Sequence, residues 1–310
     1  MEAEEYQIER ISPGAYPHLV NLMHRCFGVR PSLQQVRSKF NTKAFGAENI
    51  GYIAYASSGK PAAYYGVFPV LVRINGIECL AAQSGDTMTD PAHQKRGLFV
   101  KLAKHTYELA EANGIRFIFG FPNENSRPGF ERRLGWRFTG HLQDFRLTAS
   151  TFPLCELSHK LSLLRPLYSW TIERRTKRIL TNGLLPSFDM EVNGCVRDQR
   201  FFSYKQAMGA RWIDVLGVRM LVKPEVHLYV GDIRFDEGMD PYRLRSALLF
   251  AAKRFLCRRV ICTFSSTHPL CGFMSWVVSP EDGLPIGYLE LGRILPVGEL
   301  AFSRADLDTF

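Results

Sequence analysis

Apolar residues in the first 140 positions fall into short alternating runs and longer stretches of helical spacing, and the switches between the two mark a series of elements. "YQIERI", residues 6–11, predicts a short opening strand. Ser12-Pro13-Gly14 makes a turn, and Ala15–Phe27 then reads as an amphipathic helix, with a second short helix over Leu33–Phe40. "GYIAYA" and "AAYYGVFPVLVRI" predict a hairpin turned at Ser57-Ser58-Gly59-Lys60, and Asn75-Gly76 leads into a third antiparallel strand, "IECLAAQSGDTMT". Phe99, Leu102, Ala103, Leu109 and Ala110 keep the three-and-four spacing of a helix over about Leu98–Asn113. Gly114 ends it, "IRFIFGF" reads as a buried strand, and a short helix closes in "FERRLGW".

The second half repeats part of this order. "GD" ends a strand at Gly85-Asp86 and occurs again at Gly231-Asp232, an offset of 146 residues. Thirteen residues after each glycine a helix is under way, at Leu98 and Leu244, and the following strands begin at Ile115 and Val260. Such a recurrence implies duplication of a whole domain rather than a short repeat. The copies differ at the loop, where Gly97 corresponds to Arg243. Between them the character changes: Pro153, Pro166 and Pro186 punctuate a segment that holds the basic run "IERRTKRIL". The simpler reading is a connector helix with a solvated face, and the alternative is a helix that touches a membrane or a polyanion. The expected division is 1–148, a helical connector over 149–190, and a second domain over 191–310.

Composition narrows the setting. The 310 residues can bury a full core, and 46% hydrophobic with 22% charged residues is ordinary for a globular chain. No apolar run approaches the length of a membrane span, and the acidic start lacks a signal-peptide core. Seven cysteines lie scattered without a CxxC pair, so neither a metal site nor a disulfide framework is indicated and the cytoplasm is expected. A net charge of +9 asks for an acidic partner, whether nucleic acid, membrane surface or phosphorylated cofactor.

"PAHQKRGLFVKL", residues 91–102, bears on that choice. His93, Lys95, Arg96 and Lys101 surround Gly97, where a strand passes through a loop into a helix. Cations at a helix start oppose the macrodipole unless an anion sits there, and the unpaired N–H groups of the first turn are suited to holding one. Neither GxxxxGK[ST] nor GxGxxG is present. No recognised DNA- or RNA-binding motif accompanies the charge, so nucleic acid ranks last.

"TMTDPAHQKRGLFVKLAKHTYELAEANGIRFIFGFPNENSRPGFERRLGWRF" resembles the acetyl-CoA-binding core of GNAT-type N-acetyltransferases. Gln94-Lys95-Arg96-Gly97-Leu98-Phe99 stands for that family's (Arg/Gln)-x-x-Gly-x-(Gly/Ala) loop, and Asn123, Ser126, Phe130 and Leu134-Gly135-Trp136 match its later "N…S…(F/Y)…LGF" element. The resemblance covers roughly residues 50–140, and two such halves in one chain would resemble the tandem-GNAT enzymes. It implies a mixed α/β fold, with a largely antiparallel sheet flanked by helices, here duplicated. It also implies acetyl-CoA as co-substrate. Backbone groups of Thr87, Met88 and Thr89 would pair with the pantetheine arm, and the amides from Gln94 to Phe99 would hold the pyrophosphate, with Asn123 reaching the arm. Phe99 stands where the family has Gly or Ala; a side chain turned into the core would accommodate it.

The chemistry so implied is transfer of an acetyl or short acyl group to a primary amine of a small molecule, an amino sugar among the candidates. The family's proton-donating tyrosine would lie four residues before Gly135, where this chain has Glu131. Ser126 is the substitute considered. Asp86 is the first candidate base, Glu124 a weaker one, and the carboxylate of Phe310 a third, as some tandem-GNAT enzymes are thought to use a chain-terminal base. Tyr64, Tyr65 and Phe68, with Trp212, Asp214, His227 and Tyr229, are candidate cleft residues. The alternative function is a non-catalytic acyl-CoA-binding or scaffolding protein. The pattern leaves the oligomeric state open.

Overall fold

The structure is a computed structural model that describes residues 5–181, 192–234, 238, 240–292 and 300–310. In the first half, β1 (Gln7–Arg10) leads through a 3₁₀ turn to α1 (Tyr16–Phe27) and α2 (Leu33–Phe40). Gly28, at φ 70°, ends α1 in the left-handed conformation that glycine adopts without strain, and Ser32 with Gln35 forms a capping box at the start of α2. The strands β2 (Ile50–Tyr55), β3 (Pro61–Ile74) and β4 (Ile77–Thr89) follow, then α3 (Leu98–Ala112), β5 (Phe117–Gly120), α4 (Arg127–Leu134) and β6 (Arg137–Thr148). The connector holds α5 (Leu154–Lys160) and α6 (Arg165–Thr176), helical as expected, while its residues 182–191 lie outside the described residues. Beyond it come β7 (Gly194–Cys195), α7 (Gln199–Ala207), β8 (Arg211–Val215), β9 (Val218–Pro224), β10 (Leu228–Ile233), α8 (Pro241–Arg254), β11 (Arg259–Ser265), α9 (Pro269–Ser275) and β12 (Glu281–Glu290).

The chain divides into two compact units, Met1–Thr139 with Pro285–Val297, and Gly140–Leu284 with Gly298–Phe310. In the first, the strand order is β1-β2-β3-β4-β5-β12, antiparallel except for the parallel pair β4/β5. In the second it is β6-β11-β10-β9-β8, again with one parallel pair, β10/β11. Duplication is thus visible in the ladder pattern. The expected cuts after 148 and 190 differ from these units for a definite reason. The strand that follows α4 belongs to the second unit from Gly140 on, and the strand that follows α9 belongs to the first from Pro285 on. Each copy completes its sheet with the last strand of the other half of the chain.

Both faces of the first sheet are buried. Leu98, Leu102, Ala103 and Ala110 of α3 pack on Tyr65, Ile118 and Trp136. On the other face Leu19, Leu22, Val36 and Phe40 pack on Ile53, Tyr64, Phe68 and Met88. Strand side chains alternate between faces, so the neighbours Tyr64 and Tyr65 serve opposite cores. In the second unit, Leu244, Ala247, Leu248 and Ala251 of α8 cover Val230, Val260 and Cys262. Among the described residues, no helix is long and apolar enough to cross a membrane.

Candidate functional site

The parallel pair β4/β5 runs together only at Ala82↔Ile118 and Gln83↔Phe119. Past that point β4 continues to Thr89 while β5 ends at Gly120, so the two strands separate. Ser84, Gly85, Asp86 and Thr87 are all half-buried there, between fully buried neighbours. The β3/β4 register also shifts at this spot: Gly66 faces Gly85 and Tyr64 faces Met88, so Asp86 and Thr87 together oppose the single residue Tyr65. Asp86 takes the left-handed conformation, φ 52°, that such a bulge requires. A bulge turns backbone groups out of the ladder, and here it does so at the mouth of a splay.

What surrounds the bulge differs on the two faces. Toward α1 and α2, Asp86 Oδ2 lies 2.7 Å from Lys39 Nζ, each side chain 13% exposed. The Lys39 ammonium also sits over the Phe68 ring, 4.9 Å from its centroid. The Tyr64 hydroxyl is buried nearby with no hydrogen-bond partner, and burial together with the Asp86 charge pushes its pKa well above the usual phenol value. Gly66 makes this possible: a Cβ there would collide with Tyr64 Oη, so the phenol lies flat along the strand. Toward α3, Ser84 Oγ donates to Tyr65 Oη at 3.0 Å, Tyr65 and Tyr107 hydroxyls are 2.9 Å apart, and Trp136 Nε1 donates to Tyr107 at 2.9 Å. Burial pushes the Tyr107 pKa up to about 12, so this chain of hydroxyls stays protonated at neutral pH.

At the far end of β4, Asp90 caps the next turn through Ala92 N and pairs with Arg25. Burial works to raise the Asp90 pKa, but these two partners outweigh it and leave the carboxyl below its ordinary value. Gln94, Lys95, Arg96 and Gly97 are exposed. Lys95 and Gly97 have φ of 62° and 76°, and the space where a Gly97 Cβ would point is open. No side chain caps α3, and its first internal bond is Lys101 N to Gly97 O. The amides of Leu98, Phe99 and Val100 therefore face an open turn, with Lys95, Arg96 and Lys101 around it.

The sequence family described as acetyltransferase (GNAT) domain matches residues 7–139, the stretch that carries the splay, the bulge and the cationic turn. That stretch of the chain carries an acetyltransferase domain of the GNAT type, a family whose co-substrate is acetyl-CoA. A putative acetyltransferase from Pyrococcus horikoshii superposes with TM-score 0.55 at 13% identity, covering 94% of this chain and 90% of that one. A GCN5-related N-acetyltransferase from Kribbella flavida gives 0.55 at 13%, covering 93% and 72%. A fungal region described as a GCN5-related glucosamine N-acetyltransferase, within a multi-domain β-N-acetylglucosaminidase, gives 0.53 at 12%, covering 92% of this chain and 38% of that one. At these identities the likeness is one of fold, and it spans both units. No curated protein matches the sequence.

The GNAT acetyltransferase domain places Asp86, Thr87, Met88 and Thr89 on one strand end and Gln94 through Phe99 on the adjoining turn. The Phe99 ring is turned inward against Phe130 and Tyr65, at centroid distances of 5.3 and 5.8 Å. Asn123 Oδ1 accepts from Ser126 N at 3.0 Å, and Ser126 Oγ donates back to Asn123. Asn123 thus serves the start of α4, the capping place that Ser126 itself does not fill. Glu131 is exposed beside Arg127, and Glu124 is exposed.

Phe310 belongs to the second unit, along with Trp212, Asp214, His227 and Tyr229. That unit also has a splay, since β10 and β11 pair only as far as Val230↔Cys262, and a register shift at Gly231. There the final segment fills the opening. The Phe310 ring lies on Gly231, where a Cβ would collide with it. Ser303 bridges to Phe264, and Lys205 Nζ donates to Leu307 O and Phe310 O at 2.9 and 3.3 Å. Asp306 and Asp232 are held by Arg197 at 2.7 and 3.0 Å. The structure therefore puts Phe310 to use as packing for the second copy, buried to 1% exposure. Lys39, Ser84 and Tyr107 are not among the motif residues; the cross-strand register and the packing of α2 and α3 on the sheet bring them to the splay.

Proposed function

We propose that the first unit transfers an acetyl or short acyl group from acetyl-CoA to the primary amine of a small molecule, by direct attack of the neutral amine on the thioester. The carrying observation is the continuity of the β4 bulge, the β4/β5 splay and the exposed cationic turn. These fit the carrier: the helix amides and the cations at Lys95, Arg96 and Lys101 suit a pyrophosphate, and the free side of β4 from Ser84 to Thr89 suits an arm that pairs as a strand would. Asn123 is the side chain to reach that arm from beyond β5. Bound there, acetyl-CoA supplies the activated acetyl thioester.

The chain's own groups do the rest. A backbone N–H turned out at Asp86–Thr87 donates to the thioester carbonyl oxygen, where charge builds up during attack. The Asp86 carboxylate takes a proton from the incoming ammonium, either directly or as Lys39 yields its place. The Ser84 hydroxyl, which in this structure donates to Tyr65, is the donor nearest the splay and reaches the departing thiolate once it turns from Tyr65. The half-buried Asp86 carboxylate suits an incoming ammonium, and the fungal glucosamine N-acetyltransferase region makes glucosamine the first acceptor to assay. All seven cysteines are free thiols, which suits a cytoplasmic setting.

The test is CoA release over a panel of amino sugars, polyamines and aminoglycosides. Asp86→Asn should lower kcat by about 10²–10⁴ while leaving acetyl-CoA affinity within about twofold, the range for losing a general base. Tight binding of acetyl-CoA with no turnover of any amine would instead favour the non-catalytic reading.

A further inference from the structure

The connector between the two copies carries a feature that acetyl transfer does not use. Along α5, the following 3₁₀ turn (Ser162–Leu164) and α6, Leu163 is 75% exposed, Leu161 55%, Trp170 53% and Leu167 49%, and Phe152 just before α5 is 63% exposed. The rest of α6 is anchored: Ile172 is in the core of the second unit, Tyr168 Oη donates to Phe255 O at 3.1 Å, and Arg175 donates to the carbonyls of Lys253 and Arg254 at the end of α8. The exposed apolar side chains are therefore held outward by a fixed scaffold. From residue 157 to residue 180 there are six Lys or Arg and a single acid, Glu173. Lys160 and Arg165 flank the leucine turn, and Arg174 stacks on Trp170 at 4.3 Å.

We propose that this apex, led by Leu161, Leu163, Leu167 and Trp170 within a rim of cations, docks on an anionic lipid bilayer. An apolar tip needs a phase to enter and the rim needs negative charge at the same depth, and a bilayer with acidic headgroups presents both. Tryptophan with a neighbouring arginine is the pair expected at the boundary, the ring among the headgroup carbonyls and the guanidinium at the phosphates. Nucleic acid offers the charge without an apolar phase for protruding leucines. The arrangement lies on the surface of a membrane and does not span it.

The experiment is sedimentation of the intact protein with large unilamellar vesicles, of phosphatidylcholine alone or with about one third phosphatidylserine, at near-physiological salt, where surface charge acts over about 8 Å. Binding to the mixed vesicles should exceed binding to the neutral ones by at least about tenfold, as expected when several cations meet an acidic surface. Leu163→Glu combined with Trp170→Glu should abolish it while the thermal midpoint and acetyl-CoA binding stay those of the unmodified chain, and Arg174→Gln with Arg165→Gln should remove most of the preference for acidic lipid. Failure to sediment with mixed vesicles would overturn the proposal, as would equal binding by the glutamate variant. A dimer in solution that the glutamate variant dissociates would also overturn it, by showing that a second copy covers the apex.

Discussion

Leaving a buried hydroxyl without a partner costs about 1–3 kcal/mol, and Tyr64 pays that penalty beside Asp86. The residue is held in place by Gly66, which has no Cβ to push the phenol off the strand. If the hydroxyl serves the acceptor side of the bulge, its stability cost and its use should separate on mutation. Tyr64→Phe is expected to raise the urea midpoint by the equivalent of about 1 kcal/mol and to lower kcat about tenfold, the effect of losing one hydrogen bond to a charged or charging group. A variant less stable than the parent, with full kcat, would show that the hydroxyl matters only to packing. The sequence offers Tyr64 as a candidate cleft residue within an apolar run that also reads as core, and it gives no sign of Lys39, which only the packing of α2 brings to Asp86. The Tyr64 hydroxyl becomes notable only when the ladder register places it at the bulge.

At the level of elements, the two splays explain each other. Both copies break their ladder at a Gly-Asp pair and both let a parallel strand pair diverge. In the first the opening leads to an exposed turn, and in the second the Phe310 ring and the segment around Ser303 fill it. Gly231→Val would set a side chain where the ring lies, so it should destabilise the protein by about 1–3 kcal/mol, the usual cost of overpacking, read as a fall in the urea midpoint. An unchanged midpoint would mean that the final segment is not packed in this way. Most elements were legible beforehand, since Leu98–Ala112 keeps its apolar spacing and "YQIERI", "GYIAYA" and "IRFIFGF" show strand patterns. The repeated "GD" was legible as well. The exchange of β6 and β12 was not, because a local pattern says that a segment is a strand without naming a neighbour that lies far away along the chain.

For the molecule as a whole, duplication followed by specialisation is the simplest physical account. One copy keeps glycine at the cationic turn, and the other has Arg243 at the corresponding position, with Arg243 Nε donating to Leu216 O. On the two proposals made above, the +9 charge divides into separate uses, a carrier-binding turn in the first unit and a basic rim on the connector. The motif around Gly97 was readable because a phosphate cradle depends on backbone and spacing, which a short sequence preserves. The acceptor was not, because its pocket is assembled from side chains on several elements. Calorimetric titration with acetyl-CoA tests the central claim most directly, comparing the parent chain with Gly97→Glu. The account predicts one site per chain in the parent, with binding lost in the variant and its thermal midpoint lowered by no more than a few degrees, since a residue placed at φ 76° costs about 1–2 kcal/mol. Two sites per chain, or equal binding by the folded variant, would contradict it.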